Sequence, residues 1–137
     1  MTNKPVPPTY KGRSIGIVAL VAAQILIGSI HVFSGLLLLF SENFAFLQGT
    51  VAYDVYTLVF GLLVLVFAVF IWQGKKLGWI GTIAVSLFVI VVDSLTLLDL
   101  PSIPGVPKLA GFTEIAYSIV IIAYLCSGGV RKKYLSV

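Results

Sequence analysis

Val59–Gly81 reads VFGLLVLVFAVFIWQGKKLGWIG, and this stretch decides the fold. An apolar run ends at Trp72, the turn Gly74-Lys75-Lys76 follows, and a second apolar run begins at once. A connection this short allows two long apolar segments only an antiparallel helical hairpin. Trp72 and Trp79 flank the turn as interfacial aromatics do, at headgroup depth, and the lysines between them mark the cytoplasmic side.

Followed outward, the hairpin becomes spans over about 53–72 and 77–98, and two further apolar runs cover about 14–40 and 112–127. Crossing the hydrocarbon core takes roughly 20 apolar residues, so the first run is long enough to tilt or to extend past the headgroups. It is too long for the apolar part of a signal peptide and no A-x-A-like site follows it, so it reads as a retained helix.

Basic residues fix the orientation. Of nine Lys and Arg, eight fall in three segments: Lys4, Lys11 and Arg13 before the first span, Lys75 and Lys76 in the hairpin, and Arg131, Lys132 and Lys133 after the fourth. Glu42, Asp54, Asp99 and Glu114 lie at or beyond the opposite ends. The bias of Lys and Arg toward the cytoplasmic loops then predicts an all-α, up-down antiparallel four-helix bundle in the cell membrane, with both termini cytoplasmic. The chain divides into a tail (1–13), one membrane domain (14–130) and a basic stub (131–137).

Composition agrees. Of the 137 residues 59% are hydrophobic and 10% charged, far from the roughly one-quarter charged of soluble proteins. Four spans leave no room for a soluble catalytic domain. The net charge of +4 could suggest nucleic acid, but the cations are juxtamembrane, and anionic lipid headgroups account for them better. Trp72, Lys75, Lys76, Trp79, Arg131, Lys132 and Lys133 are the expected interface anchors.

The connections on the other side differ. Residues 41–52 are aromatic and weakly polar and are expected along the interface, while residues 99–111 carry Pro101, Pro104 and Pro107, which exclude a regular helix there. The Pro-rich segment 4–10 reads as mobile, and Gly128-Gly129 as the stop of the fourth helix. The single Cys126 rules out an intrachain disulfide and reads as a reduced packing residue.

Each span carries a stripe of small and polar residues at helical steps. These are Gln24, Gly28, His31 and Gly35; Asp54, Thr57, Gly61 and Ala68; Gly78, Thr82, Ser86, Asp93 and Thr96; and Glu114 with Ser118, Tyr117 standing beside them. Lipid-facing surfaces are apolar, so the stripes are expected to face one another, with Gly28, Gly35, Gly61, Gly78 and Ser86 letting the helices approach closely. Small polar stripes are also how membrane bundles pack whatever they do. The Gly74-x-x-x-Gly78 match lies in the turn and says little about dimerisation.

The ionisable residues inside the spans carry more information. A charged residue at mid-membrane costs roughly 2.5 to 3.5 kcal/mol even on the lenient insertion scale. Counting about 1.5 Å per residue, Asp93 lies near 8 Å and His31 near 13 Å from the outer helix ends. With Asp54, Glu114, Tyr56 and Tyr117 they gather in the outer half. Three readings stay open: a structural hydrogen bond from Asp93 to His31, Tyr56, Tyr117 or Thr57; a proton or cation pathway; and a metal site. The pathway lacks an acid in the inner half. The metal site lacks the Glu-x-x-His spacing of di-metal bundles, and one His with a distant Cys is a poor zinc or copper set, so no metal or cofactor is assigned. No G-x-x-x-x-G-K loop, C-x-x-C, H-E-x-x-H or nucleophile elbow occurs, and the chain does not read as an enzyme.

The segments IGSIHVFSGLLLL, VFGLLVLVFAVFIWQGKKLGWIG, LPSIPGVP and IAYSIVIIAYLCSGGVRKKY give the chain a layout that resembles small four-helix membrane proteins of archaea and bacteria without an assigned function. In size and texture it is also similar to helical accessory subunits of membrane oxidases and monooxygenases. The resemblance implies a four-helix bundle and carries no site residues. The expected role is a non-catalytic membrane subunit or assembly factor, whose partners are the lipid bilayer and other membrane subunits or a second copy. The alternative is a small oligomeric proton or cation module using His31 and Asp93.

Overall fold

A computed structural model describes residues 9–10, 13–40 and 51–136. Lys4, Lys11, Glu42 and most of the two segments read above as a mobile tail and an interfacial connection lie outside the described residues. Four long apolar helices run antiparallel: α1 (Ile15–Phe40), α2 (Val51–Trp72), α3 (Lys76–Leu97) and α4 (Lys108–Leu125), with a short α5 (Gly128–Leu135) after them. All four are long and apolar enough to cross a bilayer, and the protein is an all-α, multi-pass membrane bundle. Ahead of α1, β1 (Thr9–Tyr10) and β2 (Arg13–Ser14) pair antiparallel, so the end of the Pro-rich tail folds back on the entry to α1.

Helix ends follow local chemistry. At the α2–α3 turn Gly74 takes φ 74°, its N–H bonds Ile71 O and the Lys75 N–H bonds Phe70 O, the paired bonds that close a helix around a left-handed residue. The same pattern closes α3 at Asp99, whose φ of 56° is unusual for a residue with a side chain; Asp99 N–H bonds Thr96 O and Leu100 N–H bonds Leu95 O. The Asp99 carboxylate meets Lys108 Nζ at 2.7 Å across the proline-rich connection. That connection is shorter than its composition implies. α4 starts at Lys108, directly behind Pro107, because proline is excluded from a helix interior but not from its entry.

Two further expectations change. Gly128-Gly129 opens α5 rather than ending the helical chain, and the basic stub lies in that short helix, whose Tyr134 is fully buried. Cys126 is exposed, because it caps α4 one position after the buried Leu125.

Along the row α1 packs on α2, α2 on α3 and α3 on α4. A Cβ on Gly61 would lie 2.8 Å from Gly28 O and from Val32 N, so α1 and α2 touch backbone to backbone there. Gly78 meets the Phe70 and Ile71 backbone in the same way, and Gly35 meets that of Leu58. The apolar core lies toward the end bearing Lys75 and Lys76, built from Ile17, Leu20, Val21, Ala68, Ile71, Ile121, Leu125 and Tyr134. This basic end is tied by side chains to backbone. Arg13 Nε donates to Trp72 O at 2.9 Å while its guanidinium stacks 4.4 Å from the Trp72 ring, and Trp79 Nε1 donates to Leu125 O at 2.8 Å. Both tryptophans therefore clamp neighbouring elements as well as standing at the end of the bundle. Lys75 Nζ lies 5.1 Å from the Phe70 ring, whereas Lys76 and Arg131, Lys132 and Lys133 are exposed.

Candidate functional site: a polar half-bundle and its cavity

The opposite, acidic end has a polar interior. Asp54 sits in the first turn of α2, 3% exposed, where a helix N-terminus favours a carboxylate. Thr57, one turn on, is buried beside it. From α1, His31 reaches across to Glu114 of α4, Nε2 to Oε1 at 3.3 Å, and both are half-buried. This is the contact that joins the first and last spans at the acidic end. The His31 ring also packs edge-on against Phe60 of α2, with centroids 4.9 Å apart.

The chemistry of the pair follows from the other ring nitrogen. Nδ1 lies 2.8 Å from Ile27 O, and a carbonyl can only accept, so Nδ1 carries a proton. Nε2 is then bare in the neutral ring, and a bond to Glu114 needs one proton more, held by either partner. His31 and Glu114 thus form a unit built to hold a single shared proton.

Asp93 stands apart. It is 0% exposed and neither carboxylate oxygen has a hydrogen-bond partner. The expected bond to His31 is not made, because Glu114 from α4 occupies His31 instead. Of the other expected partners, Tyr56 and Tyr117 also have buried hydroxyls without a bond. What Asp93 faces is the Glu114 carboxylate, and two carboxylates bond only through a shared proton. Gly111 of α4 packs on it, a Cβ there falling 3.3 Å from Asp93 Cβ, so α4 closes over the acid at a point where only a small residue fits.

Between this cluster and the apolar core is a cavity of about 270 Å³. All four spans line it: its apolar wall includes Phe60, Val64, Phe67 and Val89, and its polar groups include Gln24, Thr82, Ser86 and Ser118. Gln24 is 2% exposed; Nε2 donates to Thr82 Oγ1 at 3.3 Å and Oε1 has no partner. His31, Glu114 and Tyr117 also line this space. The sequence stripes thus hold most of the polar lining. They do not contain Gly81, where a Cβ would run into the Phe67 ring, nor Gly111, nor the exposed Thr113 at the rim. Spacing gave no signal for the two glycines, since each matters through a neighbour on another helix.

Among the described residues no three His, Cys, Asp or Glu side chains converge as a metal would require. The buried side-chain atoms without a bond belong to carboxylates, phenols and the Gln24 amide. Two facing carboxylates need a shared proton, whereas an Asn amide N–H donates to Glu114 unaided, so Asp93→Asn is expected to leave the bundle at least as stable as the wild type. Thermal unfolding in detergent checks this; a clear loss of stability would reveal a donor that Asp93 relies on. No known protein family, no curated protein and no solved structure matches this chain.

Proposed function

We propose that the protein is a non-catalytic subunit or assembly factor of a larger membrane complex and that it docks laterally through α4. The observation that carries this reading is a mismatch on that helix. α4 is the least apolar of the four spans and also the least buried within the protein, the reverse of what lipid exposure alone would select. Its outward face carries Thr113, Ala116, Val120 and Ala123 at steps of three and four, all exposed, next to the large exposed Phe112 and Ile119. Helices associate in lipid through such small-residue faces, which admit a close neighbour. A helix from another subunit, or from a second copy, is the occupant proposed for it.

Ala116→Trp and Ala123→Trp test the docking. The 14.7 kDa chain, extracted in mild detergent, should run in native electrophoresis within a larger species, and each tryptophan should abolish that species without lowering the thermal midpoint. A larger species that survives both substitutions would move the docking face elsewhere, and a wild type found only as a free monomer would remove the reading.

A second reading, a proton or cation module, is favoured by one specific feature: the shared proton of His31–Glu114 beside the unpartnered Asp93. In liposomes loaded with a pH-sensitive dye, this reading expects a wild-type proton leak that vanishes in Asp93→Asn. Equal and negligible leak in both would exclude it.

A further inference from the structure

The topology leaves one seam that no loop closes. Two connections lie at the acidic end, and each stays within a pair: residues 41–50 link α1 to α2, and residues 98–107 link α3 to α4. The pairs are linked to each other by the Gly74 turn, which lies at the basic end. Packing follows the same plan. Within the pairs the helices approach closely, α1 on α2 at Gly28, Gly35 and Gly61, and α4 on α3 at Gly111. Between the pairs, Gly78 meets the Phe70 and Ile71 backbone just past the turn, and the apolar core, with Trp79 and Ile83 of α3 packed on it, lies at that same end. The backbones of α1 and α4 do not pack along the bundle as the other neighbours do. Two helical hairpins are thus hinged at the basic end, with the cavity between them.

At the acidic end the hairpins are joined through His31 of one and Glu114 of the other, Nε2 to Oε1 at 3.3 Å. Tyr56 of α2 and Phe88 of α3 also meet across the seam, but their ring centroids are 6.4 Å apart, and such a contact does not depend on a proton. The His31–Glu114 contact does. Nδ1 gives its hydrogen to Ile27 O, so Nε2 has none in the neutral ring. With one further proton the pair is imidazolium on carboxylate, or imidazole accepting from a carboxylic acid, and both states bond. Without it a nitrogen lone pair faces a carboxylate and the contact turns repulsive.

No neighbour replaces that proton across the seam. Asp93 faces Glu114 from α3, but both belong to the same hairpin. Tyr117 of α4 is on that hairpin too, and α2 brings Asp54 and the Tyr53 and Tyr56 phenols, which stay neutral until about pH 10 or above. Lys108, at the start of α4, is paired with Asp99 at 2.7 Å.

We infer that the His31–Glu114 pair is a proton-operated clasp between the α1–α2 and α3–α4 hairpins. Holding its proton, the pair keeps the acidic ends together; on losing it, the ends part and the cavity opens to the bilayer between α1 and α4. The clasp needs neither proton transport across the membrane nor a docked partner, so it stands or falls separately from both readings above.

Double electron–electron resonance on the full-length protein in lipid nanodiscs tests it. Spin labels at Leu37 and Phe112, exposed positions of α1 and α4 at the acidic end, report the seam, and labels at the exposed Ala19 and Ala123 report the basic end, each pair in a Cys126→Ser background. Between about pH 5 and about pH 9, a range that brackets the ordinary histidine value, the 37–112 distance should lengthen as pH rises while the 19–123 distance stays constant. Glu114→Gln is the diagnostic variant. Its amide N–H donates to the bare Nε2 with no added proton, so its 37–112 distance should be short at both ends of the range. His31→Leu should be long at both; if it folds poorly, the wild type and Glu114→Gln still decide. A wild-type 37–112 distance that ignores pH would overturn the inference, as would a 19–123 distance that lengthens with it. So would a pH-dependent lengthening that persists in Glu114→Gln, since the controlling proton would then be held elsewhere.

Discussion

Gly61→Leu is expected to destabilise the bundle by about 3 kcal/mol, the upper part of the range for forcing volume into a packed interior. The reason is the kind of atom it meets. A Cβ at Gly61 would lie 2.8 Å from Gly28 O and Val32 N and 2.9 Å from His31 Cβ. Backbone atoms of a neighbouring helix cannot rotate aside as a side-chain tip can, so α1 must move away bodily. His31 moves with it and loses its 3.3 Å contact to Glu114. The effect should therefore appear twice, as a lower thermal midpoint in detergent and as a loosened acidic end, while Val59→Leu on the exposed face of the same helix should show neither. An unchanged midpoint for Gly61→Leu would mean that α1 and α2 do not cross at this point.

Tyr134→Ala should cost about 3 to 5 kcal/mol, the usual range for emptying a buried aromatic site. Tyr134 is 0% exposed and belongs to the core formed with Ile17, Ile71 and Leu125, so a residue of the short terminal helix plugs the basic end of three spans at once. Its hydroxyl also donates to Ile71 O at 3.0 Å. Tyr134→Phe keeps the plug and loses only that bond, and should cost about 1 kcal/mol. Burial, with a smaller contribution from Tyr124, pushes the Tyr134 phenol above its ordinary value. A raised phenol means that the fold holds the neutral form. That stabilisation is complete below the ordinary phenol range near pH 10 and declines as pH rises through the folded value. Removal of residues 128–137 should reproduce the Tyr134→Ala loss. Equal stability of the full and shortened chains would show that α5 is only an appendage.

How far the sequence reveals this arrangement depends on whether a feature is local. The spans are legible because lipid imposes a single rule on every lipid-facing residue, and the Gly74 turn because its φ of 74° demands a residue without a side chain. The stripes were visible as steps of three and four. Pairing within the cluster was not. His31 could meet Asp93 or Glu114 from spacing alone, and only the placement of α4 gives it to Glu114 and leaves Asp93 without a donor. Tyr134 was hidden in a segment that reads as a solvated basic tail, because its three charged neighbours dominate the pattern while its own side chain points the other way. The start of α4 was misplaced by four residues because three prolines suggest a long irregular segment, although the last of them begins the helix. The cavity is a property of four helices together and has no signature in any one of them.

A four-span bundle with its basic end facing the cytoplasm is tested most directly by its sidedness. Single cysteines can be placed at Lys75, Lys108 and Lys132 in a Cys126→Ser background, which removes the only native thiol. A membrane-impermeant maleimide should label position 108 in intact cells and positions 75 and 132 only after the membrane is opened. Labelling of positions 75 and 108 from the same side would show that α3 does not cross the membrane.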